Sequence, residues 1–361
     1  MQIGVLGGGQ LGRMMALAGY PLGLKFRFLE SVQDAPVDDL ADRVTARYDD
    51  EAALTRFAGG LDIITYEFEN VPASSAKFLA RSHAFFPPPD VLDVAQDRLT
   101  QKNFFKKLGI PTAPFAQVDS RADLDAAVQQ HGLPGILKTR RSGYDGKGQM
   151  LLKSADDVER AWKTLGNSPL IFEGFVPFER EVSIVAARSR TGETAFYPLV
   201  ENHHREGILR LTLAPAPNLT KELQAEAERC ARRIFDDFNY VGVLTIEMFQ
   251  HGGRLLVNEM ATRVHNSGHW SIEGSETSQF ENHLRAGLGL PLGLSHALHP
   301  SAMINLIGTT PPSEKILAIP GAHLHLYGKS AAPGRKLGHV TIVEPDTARL
   351  MEKVRQVQAL L

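Results

Sequence analysis

The chain has 361 residues, 43% of them hydrophobic and 22% charged, the balance of an ordinary folded protein long enough for two or three domains. Its 39 Lys+Arg against 41 Asp+Glu leave no global field to draw it to nucleic acid or to an acidic membrane surface. A single cysteine, Cys230, excludes an intrachain disulfide, and no apolar run reaches the ~18 residues of a membrane span.

The chain starts MQIGVLGGG, which opens a strand and has no basic leader, so a cytoplasmic location is expected. Residues 2–6 read as a buried strand, a glycine turn follows, and 13–19 read as an apolar helix. Residues 24–29 and 62–66 are further strands. Strands alternating with helices predict an open parallel α/β sheet, which ends near Pro87-Pro88-Pro89. A helical stretch over 91–108 is broken by Gly109 and Pro111. Residues 133–139 and 150–152 are strands around a polar glycine loop, 155–165 is a helix, and 170–176 and 181–187 are strands. Residues 221–238 carry Leu223, Ala227, Cys230, Ala231, Ile234, Phe235 and Phe238 at helical spacing, so Cys230 falls on the apolar face as inert packing. Strands at 243–249 and 254–260 flank His251-Gly252-Gly253 as a hairpin. Late strands at 301–307 and 323–327 precede a helix from Thr347.

Gly7, Gly9 and Gly12 match G-x-G-x-x-G between strand and helix, with Glu30 ending the next strand. That arrangement suits a dinucleotide, whose pyrophosphate sits at a helix N-terminus. Alone, it would make an NAD-dependent oxidoreductase the favoured reading, against a tight turn with no cofactor. The remaining motifs point elsewhere. Lys138 ends a strand and is followed by Arg140, Arg141, Gly143, Gly146, Lys147 and Gly148 before the chain returns as a strand. Such a glycine loop frees backbone N–H groups to wrap phosphate oxygens, with Lys138 as a point charge.

Glu247 and Glu259 lie on the two strands of the later hairpin. If its loop has an odd number of residues, such as 252–254, they pair directly and face the same way. Two carboxylates so placed suit Mg²⁺ together with substrate phosphates, with Asn258 as a neutral ligand or orienting group. Arg263-Val264-His265-Asn266-Ser267-Gly268-His269-Trp270 packs donors densely enough for an anion or for charge developing on oxygen. Lys329, Arg335 and Lys336 around Pro333-Gly334 can hold a phosphate monoester.

Phosphate loop, carboxylate pair and substrate loop follow in the order of the ATP-grasp superfamily. Together GGGQLGRM, TYEFENVP, RRSGYDGKGQ, ATRVHNSGHW and PGRKLGH resemble the 5-(carboxyamino)imidazole ribonucleotide synthases of purine biosynthesis, from Gly7 to about His339. The resemblance implies an α/β and α+β architecture. An N-terminal open parallel α/β (pre-ATP-grasp) domain spans 1–97, an ATP-grasp core spans 98–295 with a mobile lid at 112–176, and a small C-terminal β-rich cap spans 296–361. It implies ATP, Mg²⁺ and bicarbonate, with 5-aminoimidazole ribonucleotide as acceptor, and a homodimer.

For ATP it implies Arg98, Lys138 and a lid loop of Gly143, Tyr144, Asp145, Gly146, Lys147, Gly148 and Gln149. Glu173, Gly174, Phe175 and Val176 would read adenine through the backbone, Glu181 would hold the ribose, and His204, Asn258 and Glu259 would complete the pocket. Glu247 and Glu259 would hold the metal. Gln10, Leu11 and Glu67 would meet the aminoimidazole ribonucleotide, and Lys329, Arg335 and Lys336 its phosphate. Tyr144, Asp145, Arg263, His265 and Asn266 would line the reaction centre, with Asp145 the expected acceptor of the amine proton. A non-catalytic nucleotide sensor, or a formate-using glycinamide ribonucleotide ligase on the same fold, are the remaining readings.

Overall fold

Five parallel strands open the chain: β1 (Gln2–Leu6), β2 (Lys25–Glu30), β3 (Asp42–Thr45), β4 (Ile63–Tyr66) and β5 (Ala84–Phe85), in the order β3-β2-β1-β4-β5. The computed structural model describes residues 1–143 and 146–361. The expected α/β sheet is therefore present. β3 was not expected, because its sequence DRVT is short and polar and only pairing with β2 makes it a strand.

A second, antiparallel sheet holds β6 (Phe115–Val118), β7 (Gly135–Thr139), β8 (Gln149–Leu152) and β9 (Leu170–Gly174), in the order β6-β9-β7-β8. Two helices cover it, Arg121–His131 and Ala155–Leu165. Ser120 and Ser154 cap them, each in a reciprocal capping box with an aspartate three residues on.

The third sheet is central and has nine strands: β10 (Arg180–Arg188), β11 (Thr194–Phe196), β12 (Val200–Arg205), β13 (Ile208–Ala214), β14 (Gly242–His251), β15 (Arg254–Ala261), β16 (Ser301–Ile307), β17 (Ala322–Leu326) and β18 (Lys336–Val343). Eight of them run in the order β15-β14-β10-β12-β13-β16-β18-β17, with β11 paired to β10 off this path, so the C-terminal strands continue the same sheet through β13 and β16. The Lys221–Phe238 helix lies on it through Leu223, Ala227, Cys230, Ala231, Ile234 and Phe235, all buried. Burial pushes the Cys230 thiol up to about 11, which leaves it an inert packing group.

One expected helix is two. Pro89–Ala95 and Arg98–Lys107 are separated at Asp97, whose backbone is extended and whose carboxylate accepts from the N–H groups of Leu99 and Thr100. An aspartate N-cap restarts the helix without any proline or glycine to announce it.

Candidate active site

The glycine turn at the N-terminus is not open for a cofactor. The carboxylate of Glu67 accepts from Gly9 N at 3.0 Å and Gly12 N at 3.3 Å, where a pyrophosphate would sit in a dinucleotide fold. Glu30 turns inward and accepts from Gly8 N, Ser31 N and Tyr48 Oη. Burial raises the Glu67 carboxyl above its usual range, against the pull of the Gly9 N–H and Arg263. Lys329 reaches across from the C-terminal strands to hydrogen-bond Gln10 Oε1, so Gln10, Glu67 and Lys329 share one neighbourhood. Leu11, next to Gln10 in the chain, is buried. Arg335 is exposed and donates to Ser330, while the charge of Lys336 is felt at Glu247 and His204.

The loop expected to bind phosphate leaves β7 and returns on β8. Arg140 and Arg141 pair with Asp97 at 2.8 and 3.3 Å, which ties the loop base to the cap of the Arg98–Lys107 helix. Arg98 donates to Thr139 O at 3.0 Å and Gly143 O at 3.1 Å, and its guanidinium lies 3.9 Å from Glu259. Gly146 and Gly148 have φ of +76° and +69°. A Cβ on Gly146 would lie 2.8 Å from Glu206 O, so the loop rests on the β12–β13 turn. Gln149 begins β8, Lys147 is exposed, and Tyr144 and Asp145 lie outside the described residues.

Lys138, the last residue but one of β7, is buried with Nζ 3.1 Å from Glu173 Oε2. Burial would raise the Glu173 carboxyl, but Lys138 and Lys102 outweigh it and hold it at about 2. Gly174 N and Phe175 N donate to Pro114 O and Pro134 O. Val176 is buried and Phe175 exposed. Beyond them Glu181 Oε2 lies 3.0 Å from His204 Nδ1. Burial alone would lower the imidazole's pKa, but the Glu181 carboxylate beside it raises the balance above the ordinary value.

Glu247 and Glu259 do pair directly across β14 and β15, but not through an odd loop. The hairpin closes on two residues, Gly252 and Gly253, both at positive φ, with His251 opposite Arg254. Asn258 is an extra residue between Val257, opposite Met248, and Glu259, opposite Glu247. This bulge sets Asn258 and Glu259 together against Glu247. Among the described residues no three His, Cys, Asp or Glu side chains converge as a complete protein cage for a metal. Two carboxylates and an amide on one rung fit Mg²⁺, which takes few protein ligands and completes its shell with phosphate and water.

The 261–270 loop closes the site. His265 Nε2 is 3.1 Å from Glu247 Oε1, and Nδ1 is 2.9 Å from Ser267 Oγ. Burial would raise the Glu247 carboxyl, yet His265 and the neighbouring cations hold it below the usual range. Asn266 and Asn305 exchange two amide hydrogen bonds, at 3.0 and 2.7 Å. Arg263 pairs with Glu69 at 3.2 Å.

Comparison with known proteins follows this layout. Residues 1–96 match the ribonucleotide synthetase preATP-grasp domain, 103–280 the ATP-grasp domain, and 301–353 the phosphoribosylaminoimidazole carboxylase C-terminal domain. The chain is 51% identical over 361 residues to the N5-carboxyaminoimidazole ribonucleotide synthase of Pseudomonas aeruginosa, covering 100% of this chain and 99% of that one. It belongs to the N5-carboxyaminoimidazole ribonucleotide synthase family. The crystal structure of the Thermus thermophilus synthetase superposes with a TM-score of 0.96 at 55% identity, covering 99% of this chain and 98% of that one. The Aspergillus clavatus synthase, crystallised with ADP and 5-aminoimidazole ribonucleotide, superposes at 0.92 with 31% identity, covering 99% and 98%. The family carries the ATP-grasp fold expected from the motifs.

Sequence reasoning missed three residues of this synthase-family site. Lys102 is 2% exposed and lies 3.3 Å from Glu173 Oε2. Its signal was its place four residues after Arg98, on the same helix face. Glu69 accepts from Thr262 N at 2.6 Å besides pairing with Arg263, so the N-terminal sheet grips the 261–270 loop. Gln279, fully buried, accepts from His265 N at 2.9 Å and donates to His265 O at 2.6 Å. Nothing local in its sequence marks Gln279, since its partner is 14 residues away.

Proposed function

We propose that this chain carries out the ATP- and bicarbonate-dependent carboxylation of the exocyclic amine of 5-aminoimidazole ribonucleotide in purine biosynthesis. A bicarbonate oxygen attacks the γ-phosphorus of ATP and ADP leaves, giving carboxyphosphate. The amine then attacks the carboxyl carbon, directly or as released CO₂, phosphate departs, and the amine loses a proton to give the carbamate. The observation that carries this reading is full-length likeness to the synthases, at 51% identity with no part of the chain left over. Occupation of the N-terminal glycine turn by Glu67 removes the support for a dinucleotide cofactor.

We give the residues the roles that the family resemblance implies, with which their charge is compatible. Arg98 and Lys138 face the nucleotide phosphates, under a lid loop of Gly143–Gln149 that excludes water from a hydrolysis-prone intermediate. Adenine is read by backbone near Glu173–Val176, beyond the two N–H groups already engaged, and Glu181 with His204 meets the ribose. Glu247, Glu259 and Asn258 would hold Mg²⁺, which neutralises charge on transferring phosphate when bound. Arg263, His265 and Asn266 stabilise carboxyphosphate oxygens. Gln10, Leu11 and Glu67 meet the aminoimidazole ribonucleotide, with Lys329, Arg335 and Lys336 on its phosphate. The family resemblance names Tyr144 and Asp145 for the reaction centre, with Asp145 as acceptor of the amine proton. The functional units are residues 1–97, 98–295 with a lid at 112–176, and 296–361, in a cytoplasmic homodimer.

The test is ADP release from ATP, Mg²⁺ and bicarbonate, with and without 5-aminoimidazole ribonucleotide. Strong stimulation by that nucleotide, lost in Glu259→Ala, supports the assignment. ADP release that ignores it but answers to another amine sinks the substrate and leaves an ATP-grasp ligase.

A further inference from the structure

Two buried lysines share one carboxylate beneath the phosphate loop. Lys138 Nζ is 3.1 Å and Lys102 Nζ 3.3 Å from the same oxygen, Glu173 Oε2. Lys102 is 2% exposed, and among the described residues its ammonium has no well-directed hydrogen-bond partner. An ammonium buried this way is costly, and an apolar residue of similar volume would fill the space at less expense. Its helix is held firmly, because neighbouring Gln101 accepts from Met260 N at 3.1 Å and donates to Met260 O at 3.4 Å, one residue from Glu259. Lys102 also lies one turn beyond Arg98, so both cations face the same way.

Charge counting gives the reason for a second lysine. Lys138 with Glu173 alone would be a closed, neutral ion pair, with its ammonium committed to the carboxylate and no net pull on an anion. Adding Lys102 leaves the cluster one positive charge in excess, with Lys138 on the side of the loop that begins at residue 140. We propose that Lys102 is a positioning residue for nucleotide phosphates, which shares Glu173 so that the Lys138 ammonium is left to face the phosphate chain. This deepens the nucleotide-site reading above and rests on it. Burial lowers the Lys102 ammonium's pKa below its ordinary value, and the Glu173 carboxylate beside it opposes that shift without cancelling it.

The role separates phosphate from ring. In the full-length protein with Mg²⁺, Lys102→Met should weaken ADP about tenfold or more, the scale of a lost charge-assisted contact. Adenosine, which lacks phosphates, should bind within about twofold of the parent, since that contact is absent. KM for ATP should rise while KM for 5-aminoimidazole ribonucleotide holds, and Lys102→Arg should recover most of the loss. Calorimetry and steady-state kinetics read these values, with thermal melts confirming a folded protein. If Lys102→Met does not fold, Lys102→Gln is read in the same way. ADP affinity unchanged in the folded variant, or ADP and adenosine weakened equally, overturns the proposal while the site reading stands. ADP affinity unchanged in Lys138→Met overturns the nucleotide-site reading and this inference with it.

Discussion

Glu247 Oε1 lies 3.1 Å from His265 Nε2, and this contact ends a one-way chain of hydrogen bonds through the central sheet. Thr212 donates to Asn202, Asn202 to Ser183 at 2.9 Å, and Ser183 to Ser267 at 2.8 Å. Ser267 meets His265 Nδ1 at 2.9 Å through its hydroxyl and at 3.3 Å through its N–H. With Nδ1 accepting, Nε2 carries the proton that faces Glu247. Every member from Thr212 to Ser267 is buried, so the ring is set by groups that never touch solvent.

Ser267→Ala should therefore uncouple His265 from the sheet. Leaving the buried Ser183 hydroxyl and Nδ1 without this partner costs about 1–3 kcal/mol of stability. Turnover should fall by about tenfold or more, the kinetic equivalent of about 1.4 kcal/mol. Denaturant melts and ADP-release kinetics on the same samples check both. A stable variant with parental turnover would show that the chain does not set His265.

Gly148→Ala tests the phosphate loop. Its φ of +69° and the 2.6 Å approach of a Cβ to Thr139 Oγ1 both oppose a side chain. The expected result is a raised KM for ATP with a melting temperature within about 3 °C of the parent, because the strain falls on a loop and the core is untouched. Gly252→Ala, which meets no atom within 4 Å but also has positive φ, is the control for strain alone.

Arg263 depends on Glu69 across the sheet boundary, at 3.2 Å. Glu69→Gln keeps an acceptor for Thr262 N but removes the charge. We expect turnover to drop several-fold with KM for ATP unchanged, a change of about 1 kcal/mol for a partly exposed pair. A KM effect on ATP alone would place Arg263 in the nucleotide pocket.

The acid limb of stability has a definite sign. His283 is buried and neutral, accepting from Val243 N at Nδ1 and sharing Nε2 with Thr65, and burial lowers its pKa from 6.5 to about 3. As pH falls below 6.5 the unfolded chain takes up a proton that the folded chain refuses until about 3. Stability from this residue is lost over that window, at up to about 1.4 kcal/mol per pH unit. His269 and His339, also lowered by burial, act in the same sense. Glu173 adds a second loss as pH falls from 4.5 to about 2. His204 is raised, so its contribution is complete below 6.5 and is lost only as pH rises through its elevated value. Urea melts between pH 4.5 and 7.5 should show a rising limb that His283→Gln flattens. A pH-independent parent would refute it.

Much of this was legible in the sequence because it is local. The strand 2–6, the helix 221–238 and the strand 301–307 were set by apolar period and caps alone, and each is found at those bounds. The pairing of Glu247 with Glu259 was foreseen, but its route was not, since a bulge at Asn258 leaves no mark in residue type. The β12–β13 hairpin was missed for a related reason. Its turn, Glu206-Gly207, puts a glutamate at φ +56°, where Asn or Gly would have signalled. Gln279 was invisible because it is polar, sits in a helix and is buried only by partners distant in the chain, while Lys102 left only the faint mark of standing four residues after Arg98.

The bulge also bears on how this hairpin tolerates change. The one-residue offset that sets Glu259 against Glu247 is made at Asn258, several residues from the tip. The Gly252-Gly253 connection therefore carries none of the alignment of the carboxylates. Length variation at the tip is confined to the tip so long as the ladder from Met248 and Val257 to Gln250 and Leu255 holds. Loss of Asn258 alone would keep the two glutamates opposed and strip only the amide from between the strands. The hairpin is thus a modular part, with a replaceable end and a fixed rung.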